Sequence, residues 1–68
     1  MKIVSKKKCV EEIRKQIEIQ KNNVLHDEID RHNAFEIVYQ MMHLSKELGI
    51  LNKKTLDVLW REAQVITE

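Results

Sequence analysis

Lys46-Glu47-Leu48-Gly49-Ile50-Leu51-Asn52 contains the only glycine of a 68-residue chain that has no proline. A glycine just past a helix takes up the left-handed conformation without steric cost, and an apolar residue after it folds back onto the last turn. Gly49 followed by Ile50 fits that arrangement, and Asn52 is a favoured helix N-cap residue. The stretch therefore predicts a chain reversal between two helices, one ending near Leu48 and the next starting near Lys53.

Upstream of the reversal, Ile37, Met41, Leu44 and Leu48 recur at helical spacing, and Phe35, Val38 and Met42 form a second stripe beside them. An apolar face this broad predicts a helix over 34–48 that is contacted on two sides, the central helix of the core. Asn33 is its expected cap, with Glu36 three residues on able to reach back to the cap amide. Downstream, Leu56, Leu59, Trp60, Ala63 and Ile66 share one face of a helix over 53–66, which packs back on its predecessor as a helical hairpin.

Nearer the start, Val10, Ile13, Ile17 and Val24 lie along one helical stripe, continued on a neighbouring stripe by Leu25 and Ile29. Gln20 occupies a position where an apolar residue is expected. Asn22-Asn23 follows, and asparagine competes for backbone hydrogen bonds outside helices. The pattern predicts one long helix over 6–31, starting near Ser5, with that dipeptide as its weak point. No segment alternates with period two, aromatic content is 4%, and no Asn-Gly or Asp-Gly pair offers a tight strand turn. The expected fold is an all-α three-helix bundle, a long first helix plus a C-terminal helical hairpin, in a single domain spanning 1–68.

A chain of this length buries only about 60% of its unfolded surface. Its 26 larger apolar side chains suffice for a small bundle. Disulfide and proline stiffening are absent, so self-association, as a homodimer, is the expected further source of stability. Charge is uneven: residues 1–21 carry +4 and residues 22–68 carry −3. That asymmetry fits an acidic partner, or an antiparallel self-pairing in which heads meet tails, or simply a solvated surface. One cysteine, Cys9, forms no internal disulfide and points to a reducing compartment. The start lacks the apolar run of a signal peptide, and no stretch approaches the ~20 apolar residues of a membrane span. A cytoplasmic protein without membrane contact is expected.

Several residue sets are candidate sites. The stretch from about Tyr39 to Gln64 shares features with a DNA-binding helix-turn-helix: Leu44, Ser45, Leu48, Gly49 and Ile50 match its first helix and turn. Asn52, Lys53, Lys54, Thr55 and Arg61 would then contact nucleic acid. Against this stand a turn about one residue longer than that compact motif and the acidic Asp57 and Glu62 on the same helix. Lys6-Lys7-Lys8 could add phosphate contacts, or be a solvated first turn.

His26 with Asp30, and Glu28 with His32, lie four apart and form two-ligand sets, whereas zinc needs three or four ligands. No metal or cofactor is expected. Glycine-rich phosphate loops are excluded, and nothing in the spacing brings Cys9 to a histidine, so a non-enzyme is expected. Met41 and Met42 could mark an adaptable partner surface or fill the core, and Trp60 could anchor a partner or pack in the hairpin.

The hairpin from Met41 to Ile66 resembles the short two-helix bacterial proteins that dephosphorylate sporulation response regulators. Those carry Ser-Gln-Glu-Leu-Asp in the second hairpin helix, where this chain reads Trp60-Arg61-Glu62-Ala63-Gln64. No functional residue carries over and no family is assigned. The sequence thus leads to a small regulatory or adaptor protein acting by helix-mediated protein–protein interaction, with Met41, Met42 and Trp60 as partner-binding residues. The alternative is a helix-turn-helix DNA-binding transcriptional regulator.

Overall fold

A computed structural model describes residues 5–67, and among them the chain is all-α. Helix α1 spans Lys6–Leu25, α2 spans Arg31–Glu47 and α3 spans Lys53–Ala63, continued by a single 3-10 turn over Gln64–Ile66. Each helix begins on a side-chain cap. The backbone N–H groups of Lys8, Asn33 and Thr55 donate to Ser5 Oγ, Asp30 Oδ1 and Asn52 Oδ1, at 3.1, 2.7 and 2.9 Å. These bonds satisfy amides that the first turn of any helix leaves without a partner.

The first helix is shorter than its sequence pattern predicts. It ends at Leu25, two residues beyond Asn22-Asn23, and α2 begins at Arg31 rather than near residue 34. The stop is made by Asp27, which takes φ +54°. Its N–H bonds to Val24 O at 3.1 Å, and the N–H of Glu28 reaches Asn23 O at 2.9 Å. The same pair of bonds closes α2, from Gly49 (φ +72°) to Lys46 O and from Ile50 to Ser45 O, each at 3.0 Å. Both are Schellman closures with one residue in the left-handed region, so Asp27 does for α1 what Gly49 does for α2. The expected cap of α2 also moves: Asp30 caps it. Asn33 sits three residues inside, where its Nδ2 donates back to Asp30 Oδ2 at 3.0 Å.

α1 and α2 run antiparallel, since Cys9 near the start of α1 touches Ser45 near the end of α2. α3 packs against both. The core is Cys9, Ile13 and Ile17 of α1, Ala34, Val38 and Met42 of α2, Leu51 of the turn, and Leu59, Ala63 and Ile66. α1 and the hairpin's last helix bury most of the stripes their periodicity predicts, but Leu25 is 70% exposed and Trp60 40% exposed.

α2 does not. The stripe it buries is Ala34, Val38, Met42 and Ser45, in which two small residues allow close approach of α1. Of the expected core stripe, Ile37, Leu44 and Leu48 are 40%, 58% and 65% exposed, and Met41 is half-buried. The helix is in contact on two sides, but its broad apolar face extends past both of them.

Two polar residues are enclosed near opposite ends of the core. Ser45 Oγ donates to Met41 O at 2.8 Å, which uses its only proton, so Cys9 donates its thiol hydrogen to Ser45 Oγ at 3.1 Å. Gln20 is buried among long, weak bonds, 3.3 Å to Gln16 and 3.5 Å from Asn23. Those partners lie near the surface and can turn to water. Gln20→Leu should therefore raise stability, by about 1 kcal/mol in a urea titration, because replacing a buried amide with an apolar group of similar shape removes its desolvation cost. A loss of stability would show that the amide network is structurally required.

Candidate functional site

Three surfaces stand out, and the first is a groove between α2 and α3. Phe35, Tyr39 and His43 follow one another at intervals of four along α2, so they form a ridge on one flank. Trp60 of α3 meets this ridge edge-on, with ring centroids 5.1 Å from Phe35 and 5.6 Å from Tyr39, and Tyr39 stacks over His43 at 6.1 Å. All three aromatic residues of the chain thus form one cluster. The groove beside it has a volume of about 280 Å³, with Met42 and Leu56 among its apolar lining and Lys46, Lys53 and Asp57 among its polar one.

The opposite flank of α2 carries Ile37, Leu44 and Leu48, with Met41 at the edge of the core. It lies away from α3. On α1, Ile19 is 38% exposed, and it lies on the flank opposite Arg14, the residue that reaches α3. The Arg14 guanidinium holds Glu62 through contacts of 3.0, 3.3 and 3.0 Å, and that hydrogen bonding, with the carboxylate's charge, raises the Arg14 pKa. One side of the α1–α2 pair is therefore covered by α3, and the other presents apolar side chains to solvent.

The third surface is an end of the bundle. Antiparallel packing brings Lys6, Lys7 and Lys8 to the same end as Lys46, Lys53 and Lys54, which flank the Gly49 turn. All six are exposed, and none makes an ion pair with a described residue. Asp27, Glu28 and Asp30 are exposed at the far end, in the connection between α1 and α2. The charge asymmetry of the sequence thus becomes an asymmetry along the long axis. Lysines from the acidic C-terminal part of the chain reinforce it, which a tally by sequence position conceals.

The residues singled out in the sequence do not form one site. Met42 is 3% exposed and fills the core, Trp60 lines the hairpin groove, and Met41 lies on the other flank of α2. Of the nucleic-acid set, Asn52 spends its side-chain oxygen on the α3 cap and Thr55 is half-buried. Lys53, Lys54 and Arg61 are exposed. Lys54 and Arg61, two turns apart, share the outward face of α3 with Asp57 and the apolar Val58.

The histidine sets dissolve for a simple reason. His26, Asp27, Glu28 and Asp30 lie outside any helix, so neither the His26/Asp30 nor the Glu28/His32 pair shares a helical face. No group of three or more His, Cys, Asp or Glu able to hold a metal occurs among the described residues. Cys9 is buried against Ser45. No described helix is long and apolar enough to cross a membrane. Sequence reasoning passed over Tyr39, His43 and Leu56, although the four-residue spacing of Phe35, Tyr39 and His43 was a usable signal. No family model, curated protein or solved structure matches the chain.

Proposed function

We propose that this chain is a small non-enzymatic regulatory or adaptor protein of the cytoplasm that works by docking a helical partner surface against the open flank of α2. The observation that carries this reading is the exposure of Ile37, Leu44 and Leu48 in a single file along one helix. Helix-in-groove and helix-on-helix recognition use anchors at this spacing, and aligned exposed apolar side chains cost solubility unless a partner covers them. A buried, free Cys9 agrees with a reducing compartment.

The duplex-DNA alternative has less support. The outward face of α3 mixes Lys54 and Arg61 with Asp57 and Val58, and phosphate affinity depends on neutralising several charges at once. Photo-crosslinking in the producing cell tests the choice. Leu48→benzoylphenylalanine should give a discrete protein adduct that disappears when Leu44→Lys is added. The same photoreactive residue replacing Lys54 should give none. Equal labelling at both positions would overturn the reading.

A further inference from the structure

Resting on that reading of the α2 flank, we propose that its occupant is a second copy of this chain, laid antiparallel across a two-fold axis that passes between Ile37 and Leu44, near the middle of α2. Two features of the molecule point there. The first is the incomplete cover of the α1–α2 pair: α3 closes one side, while Ile37, Leu44 and Leu48 of α2 leave an apolar strip along the other. A two-fold dimer presents the same patch from both subunits, so a strip on the long side of the bundle can cover itself.

The second feature, charge, selects the orientation. Six lysines that pair with no described residue sit at one end of the bundle, and Asp27, Glu28 and Asp30, with Arg31 as their exposed basic neighbour, sit at the other. A two-fold axis perpendicular to the helices sets the lysine end of each copy beside the carboxylate end of its mate. An axis along the helices sets lysine against lysine. Complementary potentials favour the first arrangement and suppress the second, so the antiparallel dimer satisfies the apolar strip and both charged ends together.

Sedimentation velocity on the full chain, from nanomolar to high micromolar concentration, tests this. The expected result is a monomer–dimer equilibrium whose Kd rises as ionic strength goes from low to moderate, since salt screens the attraction between the ends. Leu44→Lys should raise Kd by more than about tenfold with unchanged helical circular dichroism. Lys7→Glu with Lys8→Glu should weaken the dimer, and adding Glu28→Lys in the same chain should restore part of the affinity.

A dimer that tightens with salt, or that ignores the lysine reversals, overturns the antiparallel geometry. A chain that stays monomeric at high micromolar concentration overturns the second copy as occupant. In that event the crosslink at position 48 separates the two ideas. A Leu44-dependent adduct to a different protein keeps the docking flank and replaces its partner, and no adduct removes both.

Discussion

Leu59→Ala is expected to lower the unfolding free energy by about 3 kcal/mol, within the usual range for emptying a buried leucine site. Leu59 has no exposed surface and belongs to the one cluster that joins all three helices. The large effect comes from scale as much as from burial. A core in a chain this short rarely supplies more than about 3–5 kcal/mol of net stability, so the variant should keep no more than about 2 kcal/mol and populate the unfolded chain measurably. Urea titration followed by circular dichroism, at one fixed low protein concentration, gives the number, because association would add to the apparent stability. Leu44→Ala in the same assay should change the unfolding free energy by no more than about 0.5 kcal/mol, as for an exposed position. If the two variants behaved alike, Leu44 and not Leu59 would belong to the interior.

The second large effect concerns the two left-handed residues. Gly49→Ala should cost about 1–2 kcal/mol, entirely from backbone strain, because a Cβ at this position meets no atom within 4 Å. The change therefore isolates conformation from packing. Asp27→Gly should act in the opposite direction, by about 0.5 kcal/mol, since relief of a strained φ is partly offset by the greater freedom glycine gives the unfolded chain. Paired thermal melts of both variants against the parent check the sign of each. A neutral Gly49→Ala would mean that the turn relaxes away from φ +72° at little cost.

These two positions also explain what could and could not be read from the residues. Gly49 advertises its conformation by its identity, and Asn52 advertises the cap that follows, so the hairpin was legible to within a residue. Asp27 adopts the same conformation without the same mark. His26-Asp27-Glu28 is compatible with helix by composition, so the first helix read as continuous to residue 31. Without that stop, Asp30 falls inside the expected first helix, and Asn33 is the nearest cap residue the pattern offers, whereas the cap is Asp30.

The face of α2 failed for a different reason. Two adjacent apolar stripes carry the same period, and periodicity identifies neither as the buried one. The stripe chosen by the fold uses Ala34 and Ser45, whose low hydropathy hides them but whose small size lets α1 approach. The other stripe, Ile37, Leu44 and Leu48, became the open flank. The aromatic ridge was legible in part. Trp60 stands out by residue type, but its placement against Phe35 and Tyr39 depends on how α3 is rotated, which local sequence does not determine.

That edge-on cluster has a practical consequence for anyone studying the chain in solution. Trp60 is the sole tryptophan, and its ring touches only the hairpin's own aromatics among the ring pairs of the bundle. Its emission therefore reports the docking of α3 on α2, while far-ultraviolet dichroism reports the helices of the whole chain. Coincident transitions by the two signals indicate a single cooperative unit. A fluorescence change that lags behind the loss of helicity would reveal a hairpin that outlives the attachment of α1. The protein thus carries its own optical gauge for separating these events, without a label or a substitution.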